Sequence, residues 1–492
     1  MLLMPIILVP LAASLVCLLA RSHRVMAGLN ALAFAIELVL GLRLLDGVLT
    51  AGVVAEWNEF LYADALSAWM VLLISVVSLG TSFYSGRYFS RDLAAGVVTA
   101  GRVREFFVLT PLFAAGMFFV VLANNLGVMW FALEATALSS VLLVALYNRK
   151  TSLEAAWKYI ILGSLGLALA LFATVFTYAS AVSRFPTDKL PSFNWSHLMA
   201  MAPQLDHRLI KLAFVFAFIG YGTKTGLAPM HTWLPDAHSE APSPMSAMLS
   251  GVSLKIALYA LLRFHILTTH CLDSAFSRTL LLCFGLFSMF LAAPFILVQT
   301  NLKRMLAYSS LEHVGLICAA VGMNTSVTIF GALLHMGYHA LTKPVLFFAA
   351  GNIHQSFHTM KLRVIGPGVL KALPVTGLCM GLAAIAAVGL PPFGLFYSEM
   401  TVISGGFAAN KAFISVLVLI ALIAAFCGIL KQLTRILPGT PKHKRASDAT
   451  PWDGAPAMAL LLGGLVVFSV WLPAPVLQLL ERAAAIIGGK TG

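Results

Sequence analysis

The stretch Gly222-Thr-Lys-Thr-Gly-Leu-Ala-Pro-Met-His-Thr-Trp-Leu-Pro-Asp-Ala-His-Ser-Glu-Ala-Pro242 is followed closely by Leu249-Ser-Gly-Val-Ser-Leu-Lys-Ile-Ala-Leu-Tyr259. Together they set two lysines, Lys224 and Lys255, inside segments that otherwise read as membrane-spanning helix. A lysine in hydrocarbon costs roughly 2.5–3.5 kcal/mol on insertion scales. Chains keep such residues where they face protein or water and carry ions or protons. The first reading is therefore a proton or cation pathway rather than an anchor.

The rest of the chain agrees with a membrane location. Of 492 residues, 60% are hydrophobic and only 10% charged, against about 25% charged in soluble domains. Apolar runs recur along the whole length, as in a polytopic helical membrane protein; a β-barrel would show short alternating segments instead. The first run, Leu2 to Ala20, has no basic region before it and is followed by Arg21 and Arg24, which favours an uncleaved span over a signal peptide. The net charge of +13 is read as a membrane-orientation signal and not as a nucleic-acid footprint. Six scattered cysteines with no CxxC pair argue against iron–sulfur or zinc ligation in this chain and against structural disulfides.

With roughly 20 residues per span, about fourteen spans fit. They centre near Val9, Ile36, Leu73, Ala114, Leu138, Leu167, Phe216, Gly251, Phe287, Gly315, Met336, Ala387, Ile420 and Leu465. Asp46 to Tyr62 reads as a short external hairpin, and Arg184 to Asp206, with Pro186 and Pro191, as a long loop. Loops after odd-numbered spans hold Arg21, Arg24, Arg87, Arg91, Arg102, Arg104, Lys303, Arg304, Lys442, Lys444 and Arg445 among others; those after even-numbered spans hold fewer, such as Arg184, Lys189 and Arg278. By the positive-inside rule the richer side is cytoplasmic, so both termini face outward. Span 7 (Gly226, Pro229) and span 12 (Gly389-Leu-Pro-Pro-Phe-Gly394) read as broken helices. Breaks at matching positions point to inverted repeats around a buried ion site. The expected fold is all-α, with two inverted five-helix repeats, spans 4–8 and 9–13. Residues 1–104 form three N-terminal spans, 105–267 and 277–436 the repeats, and 437–492 a loop and the last span.

Several polar residues fall within these spans. Glu134, in Trp130-Phe-Ala-Leu-Glu134, needs a nearby cation, and Lys224 is the obvious partner. The pair reads as a switch that opens and closes, or as a static bridge fixing helix packing. Lys255 is too central to snorkel; it is a proton carrier, or its ammonium caps backbone carbonyls of a broken helix. His335, His339 and Lys343 are four apart and share a helix face. They read as a relay, as packing residues, or as a metal site for which neither HExxH nor a third ligand is evident. His354 and His358 share that spacing but fall near a loop, where a solvated role is expected. Glu399, beyond the second break, is a last protonatable site before an exit or a solvated helix-end carboxylate. His231, Asp236, His238 and Glu240, in or beside the turn between spans 7 and 8, are candidates for an entry route or simply solvated; Lys158 reads as partly interfacial.

These residues carry a resemblance. The run Gly222–Gly251 with Lys224 and Lys255, together with Asn301-Leu-Lys-Arg-Met-Leu-Ala-Tyr-Ser-Ser-Leu-Glu-His-Val-Gly315, resembles the antiporter-like proton-conducting subunits of respiratory complex I and its relatives. The resemblance covers roughly Phe106 to Lys431, plus Tyr62-Ala-Asp-Ala-Leu-Ser. Pro-Asp-Ala-His-Ser-Glu-Ala-Pro242 and Pro391-Pro-Phe-Gly-Leu-Phe-Tyr-Ser-Glu-Met400 are most similar to the hydrogenase-4 component F branch, of membrane-bound group 4 hydrogenase and formate hydrogenlyase type. The resemblance implies fourteen helices, an ion pair of Glu134 and Lys224, a connecting Lys255, a histidine region at His335 and His339, and a terminal charged residue at Glu399.

The expected function is proton translocation through a buried Glu/Lys/His line, coupled to electron transfer in partner subunits. No cofactor or metal is expected in this chain; nickel–iron and iron–sulfur clusters or quinone belong to soluble hydrogenase-like and iron–sulfur partners. Other antiporter-like subunits and a quinone-channel-type membrane subunit complete the expected assembly in a bacterial-type inner membrane, with no nucleic acid. Two rival readings are a multi-subunit Na⁺/H⁺ antiporter component and a membrane scaffold whose charges are static.

Overall fold

A computed structural model describes residues 1–184, 193–272, 275–441 and 454–489. Pro186, Lys189 and Pro191 of the expected long loop, and Lys442, Lys444 and Arg445, lie outside the described residues. The chain is a membrane-embedded, multi-pass bundle of helices, as a backbone in lipid must satisfy its polar groups internally. Among the described residues, nine helices are long and apolar enough to cross a membrane. A tenth candidate, Ala455–Val470 with Ala474–Ile487, is bent by 79°, where one continuous last span was expected. Leu3–Leu19 and Pro374–Ala387 are shorter apolar helices.

Burial sorts these helices into centre and rim. The apolar windows of Ser243–Leu272 and Leu302–Met323 are 100% buried and that of Ala65–Ala94 is 89% buried, whereas His23–Ala51 and Ala412–Ile436 bury 33%. The three central helices, with Ser326–Phe357 packed among them, therefore face protein on all sides. Their polar residues meet one another rather than lipid. Small residues let the outer helices approach closely. At Gly285, an added Cβ would lie 2.7 Å from the carbonyl oxygen of Gly315, as in small-residue helix crossings.

Both expected breaks are present. His207–Thr225 ends at Gly226, whose φ of +83° suits glycine, and the chain resumes as Trp233–Glu240. Pro374–Ala387 stops before Gly389 (φ +65°) and resumes as Gly394–Ala408. A third irregularity was not expected: Leu249–Ser253, just before Lys255, is a π-helical turn, a feature frequent at functional sites. Beside the helices there is one small sheet, in which Val54–Glu56 pairs antiparallel with Leu61–Ala63. This is the hairpin expected within Asp46 to Tyr62, although Asp46 to Ala51 still belong to the helix His23–Ala51.

A buried ion pair ties this hairpin to the centre. Asp64 accepts from Ser67 N (3.0 Å) at the start of Ala65–Ala94 and takes both arms of Arg263, at 2.6 and 2.8 Å. Arg263 also donates to Ser67 Oγ and Tyr259 Oη, and lies 4.3 Å from the Trp195 ring. Removing one member of such a pair strands a buried charge. Arg263→Ala is expected to destabilise the chain by about 3–5 kcal/mol, read as loss of the protein from purified membranes. Normal amounts and an unchanged thermal transition would show the clamp to be dispensable.

Candidate functional site

The second half of the bundle holds a file of buried titratable groups. Ser326–Phe357 presents His335, His339 and Lys343 on one face, as their spacing of four requires. Lys255 reaches across from the π-turn: its ammonium donates to the carbonyls of Ser250 (3.3 Å) and Gly251, and to His339 Nδ1 at 2.8 Å. The π-turn exposes those carbonyls, so both sequence readings of Lys255 meet in one geometry. His313, from Leu302–Met323, packs against His339 with ring centroids 4.8 Å apart, and its Nδ1 lies 3.0 Å from His335 Nε2. His335 Nδ1 lies 2.9 Å from Ser398 Oγ, and Ser398 donates to the Leu395 carbonyl at 2.8 Å. Glu399 follows directly, buried, with its carboxylate over Gly389 of the second break.

These partners admit a set of tautomers that runs one way. In it Ser398 donates to Leu395 O and His335 Nδ1 donates to Ser398 Oγ. His335 Nε2 is then an acceptor, and His313 Nδ1 donates to it. At the other end Lys255 donates to His339 Nδ1, which leaves Nε2 of His339 as a donor and Nε2 of His313 as an acceptor. Those two nitrogens are buried, and neither has another partner among the described residues. In this set every hydrogen bond points from Lys255 toward Ser398; the reverse set, in which Ser398 donates to His335 Nδ1, fits the same distances, and His339 and His313 meet through their rings without a hydrogen bond.

Lys343 stands beside the file and donates to Ser309 Oγ (2.7 Å) and Leu306 O (3.2 Å). Glu312 lies 3.4 Å from His313 Nδ1. His313 and Glu312 were not singled out in the sequence; the signal was there, as two ionisable residues in the middle of a wholly buried helix. Ligand atoms of His313, His335 and Glu399 lie within 4.8 Å of one another. That is the group among the described residues able to hold a metal ion, and it excludes His339, half of the pair considered from spacing.

In the first half the expected pairing is not formed. Lys224 is buried but donates to Tyr159 Oη at 2.6 Å, with its ammonium 4.5 Å from that ring. The Tyr159 hydroxyl also meets Ser140 Oγ at 2.7 Å. Glu134 is half-buried and accepts from Ser164 Oγ at 3.4 Å; its second oxygen has no partner among the described residues. Each member has thus taken a neutral partner on the helix Lys150–Val182, which stands between them, and the direct Glu134–Lys224 ion pair is corrected to this open arrangement.

The auxiliary residues gather around the short helix Trp233–Glu240. Asp236 holds Arg304 (2.6 Å) and Lys158 (3.1 Å), and Glu240 accepts from Thr151 (2.8 Å). Lys158 is exposed. His231 and His238 are buried instead of solvated; neither nitrogen of His238, which packs on Phe347, has a partner among the described residues. His354 is half-buried, and His358 is an exposed helix cap. Glu37, also missed in the sequence, is buried in His23–Ala51; neither of its oxygens has a partner among the described residues, and it stands apart from the file.

Broken helices, buried lysines and a file of buried histidines define a class: membrane proteins of the antiporter-like kind. The chain belongs to the NADH:quinone oxidoreductase/Mrp antiporter transmembrane family, whose model matches residues 123–424. It is 36% identical to a hydrogenase-4 component F homolog of Methylacidiphilum infernorum, over 98% of this chain and 99% of that one. In fold it resembles a chain of an archaeal membrane-bound sulfane sulfur reductase (TM-score 0.84, 22% identity, 99% of this chain and 96% of that one). It also resembles a chain of the Mrp complex from Dietzia sp. (TM-score 0.84, 19% identity, 98% and 96%).

Proposed function

We propose that the chain is a proton-translocating subunit of a complex I-like redox complex of the hydrogenase-4 or formate hydrogenlyase type. The observation that supports this reading is the buried file that brings Lys255, His339, His313, His335 and Ser398 within hydrogen-bonding or ring-contact distance of one another, with Glu399 beside it. The hydrogenase branch rests on the full-length likeness to the component F homolog. Lys158, Asp236, His231, His238 and Glu240 serve as the inlet. Lys224 and Glu134 act as a pair that closes and opens across Tyr159 and Ser164. Lys255 loads the histidine file, with Lys343 and Glu312 setting its local charge, and Glu399 is the last site before release.

The proposal includes the finer architecture: fourteen spans, inverted repeats over 105–267 and 277–436 with their breaks at corresponding places, both termini outward and an inner-membrane location. It also includes nickel–iron, iron–sulfur or quinone chemistry confined to partner subunits. Redox energy there would shift the charge state of the line. The direct test is purification of the intact complex in mild detergent, with mass-spectrometric identification of every co-purifying subunit. A nickel–iron hydrogenase-like large subunit with iron–sulfur partners is the expected result. Recovery of small antiporter-type membrane subunits alone would overturn it in favour of Na⁺/H⁺ exchange.

A further inference from the structure

Two cavities on the outer surface of the first helices adjoin to outline a groove. The upper, of about 790 Å³, opens among Leu18, Arg102, Arg104 and Asn148. The lower, of about 380 Å³, runs past Ile7 and Leu11 to Gly116 and Phe119. Leu109 and Leu142 line both, so the two meet between Leu3–Leu19, Ala100–Leu122 and Leu126–Val144. We propose that this groove binds an anionic phospholipid, its phosphate between Arg102 and Arg104 and an acyl chain along Leu109 and Leu142.

Three observations select that occupant. The groove is graded: its charged residues sit at the upper mouth, and the lower part is apolar apart from Ser139. Its depth fits one leaflet. Leu18 and Ile7 are eleven residues apart on a single helix, a rise of about 16 Å at 1.5 Å per residue, close to half of a hydrocarbon core of about 30 Å. The mouth is net positive. Arg102 is held by Glu105 at 2.7 Å, while Arg104 is exposed and has no ion-pair partner among the described residues. Basic pockets between membrane helices at such an edge bind anionic headgroups. The groove lies outside the buried file, so this inference stands whether or not the file moves protons.

The test uses the intact complex in mild detergent and phosphatidylglycerol bearing a photoactivatable group near the end of one acyl chain. Label is expected on the peptides around Ile7–Leu11 and Leu112–Phe119. Unlabelled phosphatidylglycerol should compete roughly tenfold better than phosphatidylcholine. The double variant Arg102→Gln/Arg104→Gln should lose that preference, and Arg102→Lys/Arg104→Lys should keep it. Equal competition by the two lipids overturns the proposal. So does wild-type label confined to other helices, or a neighbouring subunit cross-linked at these positions in place of lipid.

Discussion

Lys255→Gln is expected to lower proton translocation by at least about tenfold while the chain still enters its complex, the scale on which a positioned proton-transfer group acts. The amide keeps a donor for the Gly251 carbonyl and for His339 Nδ1, the contacts that Lys255 makes across the π-turn, but it cannot take up or release a proton. Lys255→Met removes the donor as well. It leaves backbone carbonyls and a ring nitrogen unpaired in a dry core, at about 1–3 kcal/mol for each stranded group, and should lower the amount of complex along with its pumping. Comparing the two variants separates a structural lysine from a conducting one. The readout is protons moved per electron pair in inverted vesicles, using a pH-sensitive dye and the partner subunits' redox rate together. A normal ratio in assembled Lys255→Gln complex would make the charge static and return the scaffold reading.

Much of this site was legible because the membrane punishes exceptions. A lysine in an apolar run, or glycine and proline within a span, stands out in composition alone, and Lys224, Lys255, Glu399 and both helix breaks were found that way. What composition cannot give is the rotation of one helix against another. The Glu134–Lys224 pairing failed on that account: Tyr159 and Ser164 stand between the two, and each offers a neutral partner. His313 was passed over inside a quoted motif because its meaning depends on meeting His335 and His339 from a different helix. The Asp64–Arg263 clamp joins residues 199 positions apart, beyond any local pattern. The π-turn at Leu249–Ser253 has no composition of its own. The bend before Ala474–Ile487 had a cue in Pro473, but a single apolar span read more simply.

His313→Leu tests the file at its weakest joint. Leucine fills similar space, so packing between Leu302–Met323 and Ser326–Phe357 should survive and the complex should assemble. Proton movement should nevertheless fall by at least about tenfold, because His313 supplies both the acceptor facing His339 and the donor to His335. His313→Gln is the informative companion. Its amide can restore a donor to His335 Nε2 and so keep the static network, yet it cannot relay a proton through one ring from acceptor to donor. If the hydrogen bonds only hold helices together, the glutamine variant should pump normally and the leucine variant should fail through instability. If the file conducts, both should assemble and neither should pump. A water chain that bypasses the ring would appear as full pumping in both, and would move the pathway to Lys343 and Glu312. Translocation should be measured beside redox turnover in each case, since a tightly coupled complex slows electron transfer when its proton path is cut, and a loosely coupled one does not.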